Sequence, residues 1–137
     1  FRRDIASTVR LSNRIPMSKG RKACIGKGQR SNLQIQRSYD FETFMNIEEK
    51  HLKEKHSASP VHTSSEIQYL ADSFPDNIKL FAACQGATML GGVIVYESQS
   101  VAHAQYIAAT EEGKRIGALD LLIDYLISRY YQVENPK

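Results

Sequence analysis

Residues 78 to 109 hold three apolar runs in close succession, and the links between them are too short for anything but antiparallel hairpins. The runs are Ile78 to Cys84, Thr88 to Glu97 and Val101 to Ala109, joined by Gln85-Gly86 and by a turn around Ser98 to Ser100. A parallel neighbour would need a crossover of roughly a dozen residues. The segment is therefore predicted to be an antiparallel meander. Gly91-Gly92 inside the middle run predicts a bulge or a place where another part of the chain comes close.

Helical patterns flank the meander. Asp40 is a good N-cap for a helix over 41–55, with Phe41, Phe44, Met45 and Leu52 on one side. Thr63-Ser64-Ser65-Glu66 reads as a capping box. The helix it opens places Ile67, Leu70, Ala71 and Phe74 on one face before Pro75 stops it. After the meander, Leu119, Leu122, Ile123, Leu126, Ile127 and Tyr130 form the cleanest helical stripe in the chain. Leu33 to Gln36 alternates like a short strand, whereas 12–31 lacks a sustained period and reads as a loop with one helical turn near Lys19 to Ile25. The expected order is β-α-α-β-β-β-α, without internal repeats.

At 137 residues the chain fits one domain with a real core. Charge divides it unevenly: residues 1–37 carry ten Lys or Arg against Asp4, a net of +9, and residues 38–137 carry −6. Such asymmetry fits either nucleic-acid contact or a basic segment packed beside an acidic domain. No aromatic lies between Phe1 and Tyr39, so the basic segment offers no base-stacking platform. Cys24 and Cys84 suggest neither a disulfide framework nor a metal knuckle, which points to a reducing, cytoplasmic setting. His51, His56 and His62 have no paired metal-ligand spacing, so no metal is expected. No apolar run approaches the roughly 18 residues of a membrane span, and no signal-peptide pattern opens the chain. The absent initiator Met and the ending Asn135-Pro136-Lys137 lead us to expect an excerpt of a longer polypeptide.

The turn after the third strand is the most suggestive local feature. Residues 106 to 127 run from an apolar strand through a polar turn into an amphipathic helix with Gly117 and Ala118 in its first turn. A helix start leaves backbone N–H groups unpaired at the positive end of the helix dipole. Small residues there allow close approach of an anion, so the turn is a candidate phosphate or pyrophosphate seat. Close packing of helix on sheet is the alternative use of the same two residues.

This order of elements resembles the GNAT acyltransferase fold, and more closely its FemAB-like branch. Ser12-Asn13-Arg14 through Lys19-Gly20-Arg21-Lys22 resembles the basic segment before that branch's first strand. Ile78 to Gly86 followed by Met89 to Val95 resembles its hairpin, and Gly117-Ala118-Leu119-Asp120-Leu121-Leu122 the start of its cofactor-side helix. The usual pyrophosphate loop of the superfamily reads Arg/Gln-x-x-Gly-x-Gly/Ala. Here the aligned residues are Glu112 to Gly117, and only Gly117 matches. The resemblance implies an α/β (α+β) fold with a mixed, mainly antiparallel central sheet flanked by helices and lacking its C-terminal elements. It implies a basic segment over 1–31 and an acyltransferase domain over 32–137.

The activity so implied is transfer of an acyl group, acetyl first among them, from acyl-CoA to a small-molecule or peptidyl amine by direct attack. The alternatives are an aminoacyl-tRNA-dependent transferase, with tRNA held by residues 1–37, and a non-catalytic module of the same fold. In the acyl-CoA reading Ile107, Ala108 and Ala109 would hold pantetheine, and Lys114, Arg115, Ile116, Gly117 and Ala118 the pyrophosphate. One proton must leave the amine, and the ionisable residues of the last two strands nominate Glu97 and His103 as its acceptor, with Tyr106 as an acid near the departing thiolate. Each has a plainer use: a solvated carboxylate beside a turn, an exposed sheet histidine and a core phenol. Cys84 reads as a buried strand residue rather than a nucleophile. Tyr125, Tyr130 and Tyr131 read as core and rim.

Overall fold

The computed structural model describes residues 7–136. Its sheet has four antiparallel strands in chain order: β1 (Gln34–Ser38), β2 (Ile78–Gln85), β3 (Thr88–Glu97) and β4 (Ala102–Ala109). The meander forms as its short links require. Helices α2 (Phe41–His56) and α3 (Ser64–Ser73) separate β1 from β2, and α1 (Lys19–Arg30) precedes β1. After β4 come a short α4 (Glu111–Ile116), α5 (Ala118–Tyr125) and a π-helical segment, Leu126–Glu134. The result is a mixed α/β fold with a mainly antiparallel sheet covered by helices, as expected.

Each face of the sheet has its own core. Leu80, Ala82, Ile94, Tyr106 and Ala108 point to one side, where Phe41, Phe44, Met45, Ile67 and Ala71 of α2 and α3 cover them. Phe81, Ala83, Val93 and Val95 point to the other, beneath Ala118, Leu122, Leu126 and Tyr131. Burial on both faces explains why β2 and β3 read as continuous apolar runs rather than alternating ones. The close approach expected at Gly91-Gly92 is real. A Cβ on Gly92 would lie 2.7 Å from the Phe44 ring, and one on Gly91 would lie 2.9 Å from Ala109 Cβ.

Two bulges shape the functional end. Ala83 pairs with Gly91 and Cys84 with Met89, which leaves Leu90 as the extra residue on β3. Ile94 pairs with Tyr106 and Val95 with Ala104, which leaves Gln105 as the extra residue on β4. Bulges re-aim side chains, and the second has a specific effect. Strand parity would put residues 103 and 106 on opposite faces. The bulge puts both on the face of α2 and α3, His103 opposite Tyr96 and Tyr106 opposite Ile94.

The N-terminal region departs from expectation. Lys19–Arg30 is a full helix, where the sequence pattern predicts a loop with a single turn. Its glycines weaken intrinsic propensity, but they allow close packing on α5. Gly28 lies against Leu121, such that a Cβ there would be 3.0 Å from Leu121 Cβ. Ser18 caps the helix by accepting a hydrogen bond from the Arg21 N–H. Arg14 and Arg21 then pair with Asp124 and Asp120 of α5. Part of the basic segment thus lies against acidic residues of the same chain.

Candidate active site

The turn after β4 is built around one carbonyl. Leu90, displaced by its bulge, accepts hydrogen bonds from the Thr110 N–H at 2.9 Å and the Thr110 hydroxyl at 3.2 Å. That hydroxyl in turn accepts from the Gly113 N–H at 3.0 Å and caps α4. Any side chain on Gly113 would overlap the Leu90 carbonyl. The predicted polar turn is therefore a short helix clamped to the start of β3, and the following helix begins only after a second break at Gly117.

Gly117 has φ +81°, a conformation that favours glycine. Its missing side chain admits the Cys24 carbonyl of α1, which a Cβ would overlap. Gly117 thus packs against a helix, while Ala118 beside it is fully buried with Phe81, Val93 and Val95 of the sheet. Asp120 lies in the first turn of α5 and accepts a hydrogen bond from Arg21.

Two grooves flank α4, and Lys114 lines both. The first, about 290 Å³, runs between α2 and the end of β4 past Asn46, Lys50, His51, Ala109 and Thr110. The second, about 410 Å³, lies between α1 and α5 past Arg14, Arg21, Gly117 and Asp120. In the first, Glu111 is held below the usual carboxylate range by its hydrogen bond to Lys114 and by the nearby charges of Lys114, His51 and Lys50. Of the residues nominated for the cofactor, Ala109, Lys114 and Gly117 line these grooves. Ala108, Ile116 and Ala118 are buried in packing. Arg115 is drawn to Glu112 through Nε at 2.9 Å and Nη2 at 2.6 Å. Ile107 stands exposed on β4, whose outer edge has no strand partner among the described residues.

The nominated catalytic residues separate. Glu97 faces the π-helical segment, where Oε1 accepts from the Tyr131 hydroxyl at 2.8 Å. Its Oε2 accepts from Lys79 Nζ at 2.9 Å and Asn135 Nδ2 at 3.1 Å. Burial pushes the Tyr131 phenol upward, and its bond to Glu97 adds to the rise. Burial opposes the charge on Lys79, but its bonds to Glu97 and Tyr130 hold it above the usual lysine range. The sequence reading of a solvated carboxylate at Glu97 does not hold, because the residue is only 6% exposed and ties the chain's last helical segment to the sheet. Tyr130 and Tyr131 belong to this arrangement, as core and rim.

Tyr106 and His103 lie on the opposite side. His103 is exposed. Tyr106 is buried, and its hydroxyl lies 2.7 Å from His62 Nδ1. His62 comes from the loop between α2 and α3, and the sequence alone marks it only as lacking a metal-ligand spacing. Tyr96, close to Tyr106, is pushed upward by burial and by Tyr106, and the Tyr96 hydroxyl is buried without a hydrogen-bond partner. Glu48, on the buried side of α2, is likewise pushed upward by burial and leaves Oε2 unpartnered. A signal for Glu48 exists in the sequence, since it lies on the stripe of Phe41, Phe44, Met45 and Leu52. Burial also raises the Cys84 thiol, which fits a packing residue.

The family model of the acetyltransferase (GNAT) domain matches residues 18–134. The chain belongs to this family. The match begins at the N-cap of α1 and reaches the end of the π-helical segment. Membership brings acyl transfer as the reaction class, and GNAT domains generally draw the acyl group from acyl-CoA. No curated protein matches the chain closely enough to count as a relative. Among the described residues no cluster of His, Cys, Asp and Glu is arranged to hold a metal ion, and no helix is long and apolar enough to cross a membrane.

Proposed function

We propose that this GNAT domain transfers an acyl group, acetyl first among them, from acyl-CoA to a primary amine by direct attack on the thioester. The observation that carries this reading is the outer edge of β4, without a strand partner among the described residues, leading straight into Lys114 and the two grooves beside α4. The outward N–H and C=O groups of an edge strand can pair with the amides of an extended pantetheine chain. Lys114 would supply positive charge for its phosphates, in a second groove where Arg14 and Arg21 are already paired with Asp124 and Asp120. The first groove then takes the amine, a small molecule or a peptide terminus, between α2 and the end of β4. Catalysis in such a site consists of orienting two reactants, stabilising the oxyanion and accepting one proton.

The test is thermal unfolding with and without acetyl-CoA, followed by release of free thiol against a panel of amines. Acetyl-CoA at about 100 times its Kd should stabilise the protein by roughly 2.7 kcal/mol. Lys114→Glu should cut that shift without altering the melting of the free protein, since Lys114 pairs only at the surface with Glu111. Absence of any shift and of any thiol release sinks the proposal, and a shift without turnover leaves a non-catalytic binding module.

A second reading places the protein in the FemAB-like branch with an aminoacyl-tRNA donor in a cytoplasmic setting. It is favoured by α1, whose Lys19, Lys22, Lys27 and Arg30 have no acidic residue on the same helix to balance them. Binding of tRNA should fall steeply with added salt as phosphate counterions are released. Acetyl-CoA stabilisation should change far less over the same range.

A further inference from the structure

We infer that His62 is a positioning residue for Tyr106, and that the two form the path by which the proton of the attacking amine leaves the site. The inference rests on the acyl-transfer reading above and names the proton acceptor that reading requires. Three independent features converge on the pair. The Tyr106 hydroxyl and His62 Nδ1 are 2.7 Å apart, and the rings meet edge to face at 88°. The bulge at Gln105 turns Tyr106 onto this face of the sheet, the face covered by α2, along which the first groove runs. His62 is held from behind, because the next residue, Thr63, is the N-cap of α3. The Thr63 N–H donates to Glu66 Oε2 at 2.7 Å, and the Thr63 hydroxyl accepts from the Glu66 N–H at 3.2 Å. That reciprocal box fixes the backbone beside the imidazole, and a fixed backbone is what keeps a proton acceptor in place.

Burial gives the pair a direction. Tyr106 is 6% exposed, whereas His62 is only half-buried. The step balances as follows. The neutral amine forms a C–N bond to the carbonyl carbon as the C–S bond breaks, and the departing thiolate keeps that electron pair. The proton shed by nitrogen passes to the Tyr106 oxygen while the phenol's own proton passes to Nδ1. The resulting imidazolium releases the Nε2 proton to water, which returns one to the thiolate. Exchange with water restores the starting tautomer, Nε2 protonated and Nδ1 accepting. Other titratable groups brought to this side of the sheet are Glu48, Lys50, His51 and Glu54 from α2, Glu66 from α3, Cys84 from β2, Tyr96 from β3 and His103 from β4. Glu66 lies close enough to His62 for the two charges to interact.

The experiment compares the wild type with Tyr106→Phe, His62→Ala and His62→Gln in acetyl-CoA-dependent acylation across about pH 5 to 9. His62→Ala should lower kcat about 100-fold, leave the KM for acetyl-CoA unchanged and abolish the histidine inflection in the pH profile. Added imidazole should restore at least about tenfold in His62→Ala and nothing in His62→Gln or Tyr106→Phe. A His62→Ala enzyme that keeps kcat within about threefold, or loses it without rescue by imidazole, overturns the inference. Nitrogen-15 chemical shifts of His62 give a readout independent of turnover. The Nδ1-accepting tautomer is expected in the wild type and its loss in Tyr106→Phe, and an Nδ1-protonated wild type overturns the pairing. Should no amine be acylated while this tautomer is found, acyl transfer fails as the reaction and the proton path fails with it, but the pair stands.

Discussion

Glu97 and Glu48 are each 6% exposed and lie on opposite sides of the same sheet, yet their surroundings have little in common. Glu97 accepts from a tyrosine, a lysine and an asparagine, and through them fastens the π-helical segment to β2 and β3. Glu48 lies among the apolar residues of α2 with one oxygen unpartnered and its carboxyl raised by burial. A buried charge with partners on every side is a strut, and its removal strands the partners. A buried carboxylate lacking them costs stability. The contrast separates a face whose buried carboxylate is held by partners from a face whose buried carboxylate leaves an oxygen without one.

The largest expected effect is on the strut. Glu97→Ala leaves Lys79 and the Tyr131 hydroxyl without their acceptor and should cost about 3–5 kcal/mol in urea unfolding. If the loss is under about 1 kcal/mol, the two glutamates are alike and the comparison breaks. Gly117→Ala probes the same side through α1. Its positive φ and the overlap with the Cys24 carbonyl should together cost about 2–3 kcal/mol. Acetyl-CoA affinity can be compared once the variant is refolded at low temperature.

On the other side the sign reverses. Glu48→Met should raise stability at neutral pH by about 1–3 kcal/mol, because it removes a buried carboxylate oxygen that has no partner. The pH dependence sharpens this point. A carboxyl raised in the folded state binds more protons there than in the unfolded chain. Its unfavourable contribution is therefore absent below the unfolded value and grows as pH rises toward the folded one. Wild-type stability should fall across that window, and the decline should be missing in Glu48→Met. The smallest effect is at the capping box, where Thr63→Ala should cost about 1 kcal/mol in thermal unfolding.

Much of this fold is legible locally. The meander follows from two tight links, and α3 from a Thr-x-x-Glu box followed by an apolar stripe that ends at Pro75. Other parts depend on contacts distant in sequence. Lys19–Arg30 lacks a strong period because its inner side is made by Gly28, together with the Cys24 carbonyl and a salt-bridged Arg21. Those features gain meaning only against α5. Gly117 is correctly marked as a place of close approach, but what approaches is a helix of the same chain. The site shows the same division. Tyr106 stands out as an ionisable residue on an apolar strand, whereas His62 meets it across a separation of 44 residues. Strand parity would also misplace His103 relative to Tyr106, because a bulge is invisible in the alternation of one strand.

The wider screw of the chain's last helical segment has a consequence for length. From Leu126 to Glu134 the backbone follows π geometry, and the Asn135 N–H reaches back five residues to the Tyr130 carbonyl. The aim of Tyr130 and Tyr131 is thus a matter of counting. One residue added or deleted between Leu126 and Tyr130 would swing both phenols by nearly a quarter turn and withdraw Tyr131 from Glu97. This stretch can vary in composition far more readily than in number of residues.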